Sequence, residues 1–151
     1  MNIWEEFDSK VDVTGLQNDI KDAEQNGGTR KEVPHGNYEV KINKMELKKS
    51  KNGDPMLSIW FKVLAGEYAN CMIFMNQLVV QGIQIHIANE FLRSLDTGVD
   101  VEFKTYSQYA NLINEIRETI DAQKLEYELK FEDNKGYNKF TIANVFEGLL
   151  D

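Results

Sequence analysis

At 151 residues, with 42% hydrophobic and 11% aromatic side chains, the chain has the length of one domain and enough apolar surface for a core, which excludes global disorder. Cys71 is its one cysteine, so no internal disulfide forms and a reducing compartment, the cytoplasm, is expected; no apolar run approaches the ~18 residues of a membrane span. The formal charge of −8 argues against a polyanionic partner when read as one number, yet residues 29–62 hold eight bases and four acids between two acidic blocks, and local potential governs a polyanion more than the total does.

Residues 1–32 read as an acidic N-terminal arm and linker. Ile3, Trp4 and Phe7 fit one face of a short helix, Val11, Val13, Leu16 and Ile20 are scattered anchors, and Gln25-Asn26-Gly27-Gly28-Thr29 has linker composition. The start lacks the basic residues and apolar stretch of a secretion signal. Such an arm either docks on a partner or folds back on its own domain.

Residues 33–151 read as a mainly β domain. After the turn Pro34-His35-Gly36-Asn37, the residues Tyr38, Val40 and Ile42 alternate with Glu39, Lys41 and Asn43, the period of a half-buried strand. The phase slips near Lys44, and Met45 and Leu47 take over the apolar positions, as a β-bulge would produce. Lys48 to Pro55 is a lysine-bearing turn. Leu57, Ile59, Phe61 and Val63 then face one side of a second strand, with Ser58, Trp60 and Lys62 on the other, and Cys71 to Val79 forms a third. A helix is expected over 81–95, with Ile83, Ile87, Phe91 and Leu95 at spacing four beside Ala88 and Leu92. A second helix starts near Thr105, with Gln108 completing a capping box and Tyr109, Leu112, Ile113, Ile116 and Ile120 as its buried stripe. Val101 and Phe103 suggest a very short strand between them. Leu125 to Phe131 and Tyr137 to Phe146 make a closing hairpin about the turn Glu132 to Gly136. Five strands, a bent first strand, and one or two helices inserted between strands three and four are the pattern of an OB-type barrel.

Enzymatic chemistry is hard to find. There is no G-x-x-x-x-G-K-[ST] phosphate cradle. His35 and His86 lie on different elements without metal-ligand spacing, and His86 reads as a histidine at the edge of the core. Cys71 reads as a small buried strand residue, and Glu5 and Glu6 as solvated charge. No enzyme, no metal and no cofactor is expected.

A binding surface remains. Single-stranded nucleic acid offers phosphates that attract lysine and unstacked bases that lie on aromatic faces. Trp60, on the strand face opposite the apolar set and flanked by Lys62, suits stacking, as do Phe74 and Tyr137. Lys41, Lys48, Lys49 and Lys51 on the first strand and loop, and Lys130, Lys135 and Lys139 on the last hairpin, suit phosphates. In OB proteins these two loops flank the ligand groove. The bland alternatives are lysines that keep sheet edges soluble and a Trp60 covered by helix.

Two stretches carry a family resemblance: Val33-Pro34-His35-Gly36-Asn37-Tyr38-Glu39-Val40 and Ser50-Lys51-Asn52-Gly53-Asp54-Pro55-Met56-Leu57-Ser58-Ile59-Trp60-Phe61-Lys62-Val63. They resemble a phage-encoded family of replication and recombination gene clusters, long catalogued as a domain of unknown function, whose members look like single-stranded-DNA-binding proteins. Ile73-Phe74-Met75-Asn76-Gln77, the helix through Phe91-Leu92 and the Gly136-Tyr137 hairpin also fit, so the resemblance runs from about residue 33 to the end. It implies an OB domain that protects single-stranded DNA in phage replication or recombination. Phage or host replication and recombination proteins are its implied partners, with no membrane and with an oligomer left open. The ending Phe146-Glu147-Gly148-Leu149-Leu150-Asp151 departs from the long acidic tail of many such proteins, which leaves the arm at 1–28 as the substitute for partner recruitment. The rival reading is a phage protein-interaction module that inhibits or recruits a host protein through its acidic surface.

Overall fold

The computed structural model describes residues 32–147, together with Glu5, Gly15, Gln17 and Asn18. The chain divides into two units, residues 1–32 and 33–151. The arm's expected anchors Ile3, Trp4, Phe7, Val11, Val13, Leu16 and Ile20, its Gln25–Thr29 linker and the terminal residues 148–151 lie outside the described residues.

The second unit contains β1 (Gly36–Lys49), β2 (Pro55–Val63), β3 (Met72–Leu78), α1 (Gly82–Ser94), α2 (Tyr106–Gln123), β4 (Leu125–Asn134) and β5 (Tyr137–Glu147). The strands form one antiparallel sheet in the order β3-β2-β1-β4-β5. β1 is the hinge of this sheet: residues 36–40 pair with β4 and residues 40–49 with β2. The register on β2 shifts between Ile42 and Lys44, so the phase slip read from the apolar pattern is a bulge at Asn43. A bulge removes its residue from the ladder, and here the Asn43 carbonyl accepts a hydrogen bond from Arg117 Nη2 on α2 at 2.9 Å. The bent strand is thereby tied to the helix packed on it.

The inward residues of the sheet and the apolar stripes of both helices make one core. Val40, Leu57, Ile59, Phe61, Val63, Tyr109, Ile113, Ile116, Tyr127 and Leu129 are fully buried in it, each large side chain contributing about 1.5–3 kcal/mol of burial. The two phenols that enter this core are satisfied: Tyr127 Oη donates to the Leu95 carbonyl at 2.9 Å and Tyr109 Oη to Asn89 Oδ1 at 2.6 Å.

The sheet is open, not a closed barrel: no ladder joins β3 to β5. Instead α1 touches both of these edge strands, occupying with side chains the seam that a fifth ladder would have closed with hydrogen bonds.

Several local expectations are corrected. Ile83 and Ile87 are exposed (63% and 47%), whereas Ala88, Phe91, Leu92 and Leu95 are buried. A run at spacing four drifts by about 40° per step on a helix of 3.6 residues per turn, so the four residues cannot share one face. His86 is exposed on the same helix. Val101 and Phe103 form no strand; Val101 offers its carbonyl to Arg93 Nη2 at 2.9 Å, and Phe103 packs edge-on to Tyr106 and Tyr109. Thr105 caps α2 by accepting from the Gln108 amide at 3.1 Å, but the Gln108 side chain reaches past it to the Lys104 amide at 2.8 Å. The β4–β5 turn is the two-residue Lys135-Gly136, with φ of 53° and 87°, the type I′ geometry that matches strand twist; Glu132 to Asn134 belong to β4. Cys71 lies just before β3 and is half-buried.

Candidate functional site

The strand period places Lys41, Lys44, Glu46 and Lys48 of β1, Met56, Ser58, Trp60 and Lys62 of β2, and Met72, Phe74 and Asn76 of β3 on the outer face. The register then aligns them in rows across three strands. Lys44 is paired with Trp60 and Trp60 with Phe74; Lys41 is paired with Lys62 and Lys62 with Met72. Trp60 is half-buried and open to this face, and Phe74 is 44% exposed.

Side-chain geometry turns the middle row into a continuous surface. The rings of Trp60 and Phe74 meet edge to face, centroids 5.4 Å apart at 89°. Lys44 Nζ lies over the indole, 4.8 Å from its centroid, and is held also by Glu46 Oε1 at 3.5 Å. A cation over an indole at a solvent-accessible site is worth about 0.5–1 kcal/mol. One row along, Ser58 Oγ donates to Asn76 Oδ1 at 3.0 Å.

Lys41 and Lys62 carry no ion pair among the described residues, and neither do Lys48, Lys49 and Lys51. Lys48 and Lys49 end β1 opposite Met56 and Pro55, four and five residues from Trp60 and thus about 13 and about 17 Å along the strand. Lys51 is exposed in the turn beyond, which is closed by the Gly53 amide on the Ser50 carbonyl at 2.9 Å.

The hairpin residues stand elsewhere. Lys130 is paired with Asn37 and Thr141, and its Nζ lies 3.6 Å from Glu132. Lys139 is directly opposite Glu132. Lys135 forms the turn, and Tyr137 is 78% exposed beside it. Between this group and Lys41 the outer face carries Glu39 and Glu128, directly opposite each other across β1 and β4. Asn144 Nδ2 donates to Glu128, and the two carboxylates line a shallow hollow of about 280 Å³ with Asn37, Tyr38 and Phe146.

Of the residues proposed from the pattern, the structure brings together Lys41, Trp60, Lys62 and Phe74, with Lys48 at one end of the same face and Lys51 in the turn beyond it; Lys49, the next residue along β1, alternates to the other face. It does not join Lys130, Lys135, Tyr137 and Lys139 to them by any described contact. The residue that pattern reasoning passed over is Lys44. Counting back from the Ser50–Asp54 turn would have set it opposite Trp60, but the phase slip hid which face it takes.

Among the described residues no group of three His, Cys, Asp or Glu side chains could hold a metal ion, and no helix is long and apolar enough to cross a membrane. The model of one family, Protein of unknown function (DUF669), matches residues 18–145. No curated protein matches the chain.

Proposed function

We propose a function for this chain, which belongs to the family Protein of unknown function (DUF669), from its outer sheet face: it binds single-stranded DNA with little sequence preference. The observation that carries this reading is the row Lys44–Trp60–Phe74, a lysine and an aromatic pair laid across three strands, with Lys41 and Lys62, unpaired among the described residues, in the next row. Aromatic faces accept any base, at about 1–3 kcal/mol per stacked base, and lysines follow the phosphates. Such a stack exceeds the cation contact that now covers the indole, so a base has the energy to replace it.

The strand order and the bent, bulged β1 support an OB-type barrel left open where α1 fills its seam. The outer face of β1, β2 and β3 is the nucleic-acid surface of this reading, and the sequence resemblance supports a role in phage replication or recombination, within the infected cell.

Titration with oligo(dT) tests it. Tryptophan emission is quenched on binding, and log affinity falls against log salt with a slope of about −0.7 per phosphate neutralised. Failure to retard a single-stranded oligonucleotide in a gel at low salt would remove the reading.

A second reading is a protein-interaction module. Glu39 and Glu128 face each other on the same sheet, and the molecule's charge of −8 suits a basic partner. Pull-down of a host protein by a chain that leaves single-stranded DNA unshifted would favour it.

A further inference from the structure

Resting on the single-strand-binding reading, we infer that Lys44 occupies the place of a nucleobase on Trp60 in the free protein and exchanges with one on binding, carrying its charge to the phosphate backbone. Lys44 is the direct cross-strand partner of Trp60. Its ammonium stands over the ring at 4.8 Å, inside the volume that a stacked base would fill, so the two cannot be present together. Among the described residues nothing rigid holds it there. Its side chain is 42% exposed, and its other polar contact among them is the Glu46 carboxylate at 3.5 Å, itself 37% exposed, an interaction that water and salt weaken.

The neighbouring residues give the displaced group somewhere to go. Lys41 and Lys62 sit in the adjacent row, so a backbone that runs beside the aromatic pair lies within reach of a lysine leaving the indole. Phe74 abuts the indole at 89° and leaves the Lys44 side as the face to be exchanged. The cover thus shields a half-buried indole from water in the free state and becomes a phosphate contact in the bound one.

The chain has two tryptophans, so the test uses a Trp4→Phe background in which Trp60 alone reports. Oligo(dT) at saturation is expected to quench Trp60 to the same end point in the Lys44 protein and in Lys44→Met, which keeps the length of the side chain but not its charge. Lys44→Met is expected to reduce the salt slope by about 0.7, and Lys44→Arg to restore it. The exchange is overturned if the Lys44 protein binds with Trp60 emission unchanged while Lys44→Met is quenched, since the cover then stays in place. It is overturned equally if Lys44→Met leaves the salt slope intact. If none of these proteins retards oligo(dT) in a gel, the binding reading itself falls and the exchange with it.

Discussion

Phe61 on β2 and Phe140 on β5 stack with centroids 6.2 Å apart and planes at 21°, although β1 and β4 lie between their strands. Three strand spacings in a flat sheet are roughly 14 Å, so the sheet is rolled until its far strands touch across the interior. Phe131 continues the stack at 5.3 Å from Phe140, and Phe91 of α1 closes on Phe61 at 6.1 Å. Packing of rings therefore does on the inside what a ladder between β3 and β5 does not do on the rim. This curvature turns the opposite side chains of β1, β2 and β3 outward as one surface.

The aromatic stack is expected to carry much of the stability. Phe61→Ala should cost about 3–5 kcal/mol in urea denaturation, as for other fully buried phenylalanines, and Phe140→Ala, which is half-buried, about half that. A Phe140→Ala cost no larger than that of the exposed Thr141→Ala would mean that the rolled interior contributes nothing.

Phe74 is expected to separate binding from folding. Phe74 is 44% exposed on an edge strand, so Phe74→Ala should change stability by about 1 kcal/mol or less. Loss of one stacking platform should nevertheless weaken oligo(dT) binding by roughly 5- to 150-fold, the equivalent of ~1–3 kcal/mol. Fluorescence titration beside thermal denaturation of the same variant checks both halves, and equal affinity would take Phe74 off the surface.

Glu39 and Glu128 are like charges set directly opposite, an arrangement that costs about 0.2–1 kcal/mol in a sheet. Glu39→Gln should therefore stabilise the protein by that amount while leaving the Asn144 to Glu128 hydrogen bond in place. The same change should raise oligonucleotide affinity at low salt, because a carboxylate two residues from Lys41 repels phosphate, and the gain should vanish as salt screens it. A gain that persists at high salt would point to a cause other than charge.

Alkali is expected to unfold the protein through its core phenols. Burial pushes the Tyr109 phenol from 10.0 up to about 12, against the opposing pull of Arg93, and raises that of Tyr127 further, helped by nearby Asp96. A pKa raised on folding means that the folded state holds the proton more tightly. The contribution is then complete below pH 10 and is lost as pH rises from 10 toward 12, by about 1.4 kcal/mol per pH unit for each phenol. Denaturation at pH 9 to 11.5 should show this decline, and Tyr127→Phe should reduce its slope. That variant also leaves the buried Leu95 carbonyl without its donor, at a cost of about 1–3 kcal/mol at neutral pH.

Arg117 tests the bulge. Replacing it with alanine removes the donor to the Asn43 carbonyl, and about 0.5–1.5 kcal/mol is the expected loss because Asn43 is exposed and water substitutes in part. Oligo(dT) affinity should fall as well, since the bulge sets Lys44 on the face of Trp60; unchanged affinity would separate the bulge from the site.

Local pattern determined the local structure. The alternation through Tyr38, Val40 and Ile42, the slip before Met45, the Thr105 cap and the Gly136 turn each belong to a few adjacent residues, and their geometry follows from period, side-chain sterics and backbone freedom alone. Tertiary structure decided what those elements meet. The filling of the β3–β5 seam by α1, the stack of Phe61 on Phe140, and the meeting of Lys44 with Trp60 depend on register and packing between distant segments. A periodic pattern states that a side chain has a buried or an open face, but contacts between strands far apart in the chain are chosen by the whole core at once, and the candidate site is made of such contacts.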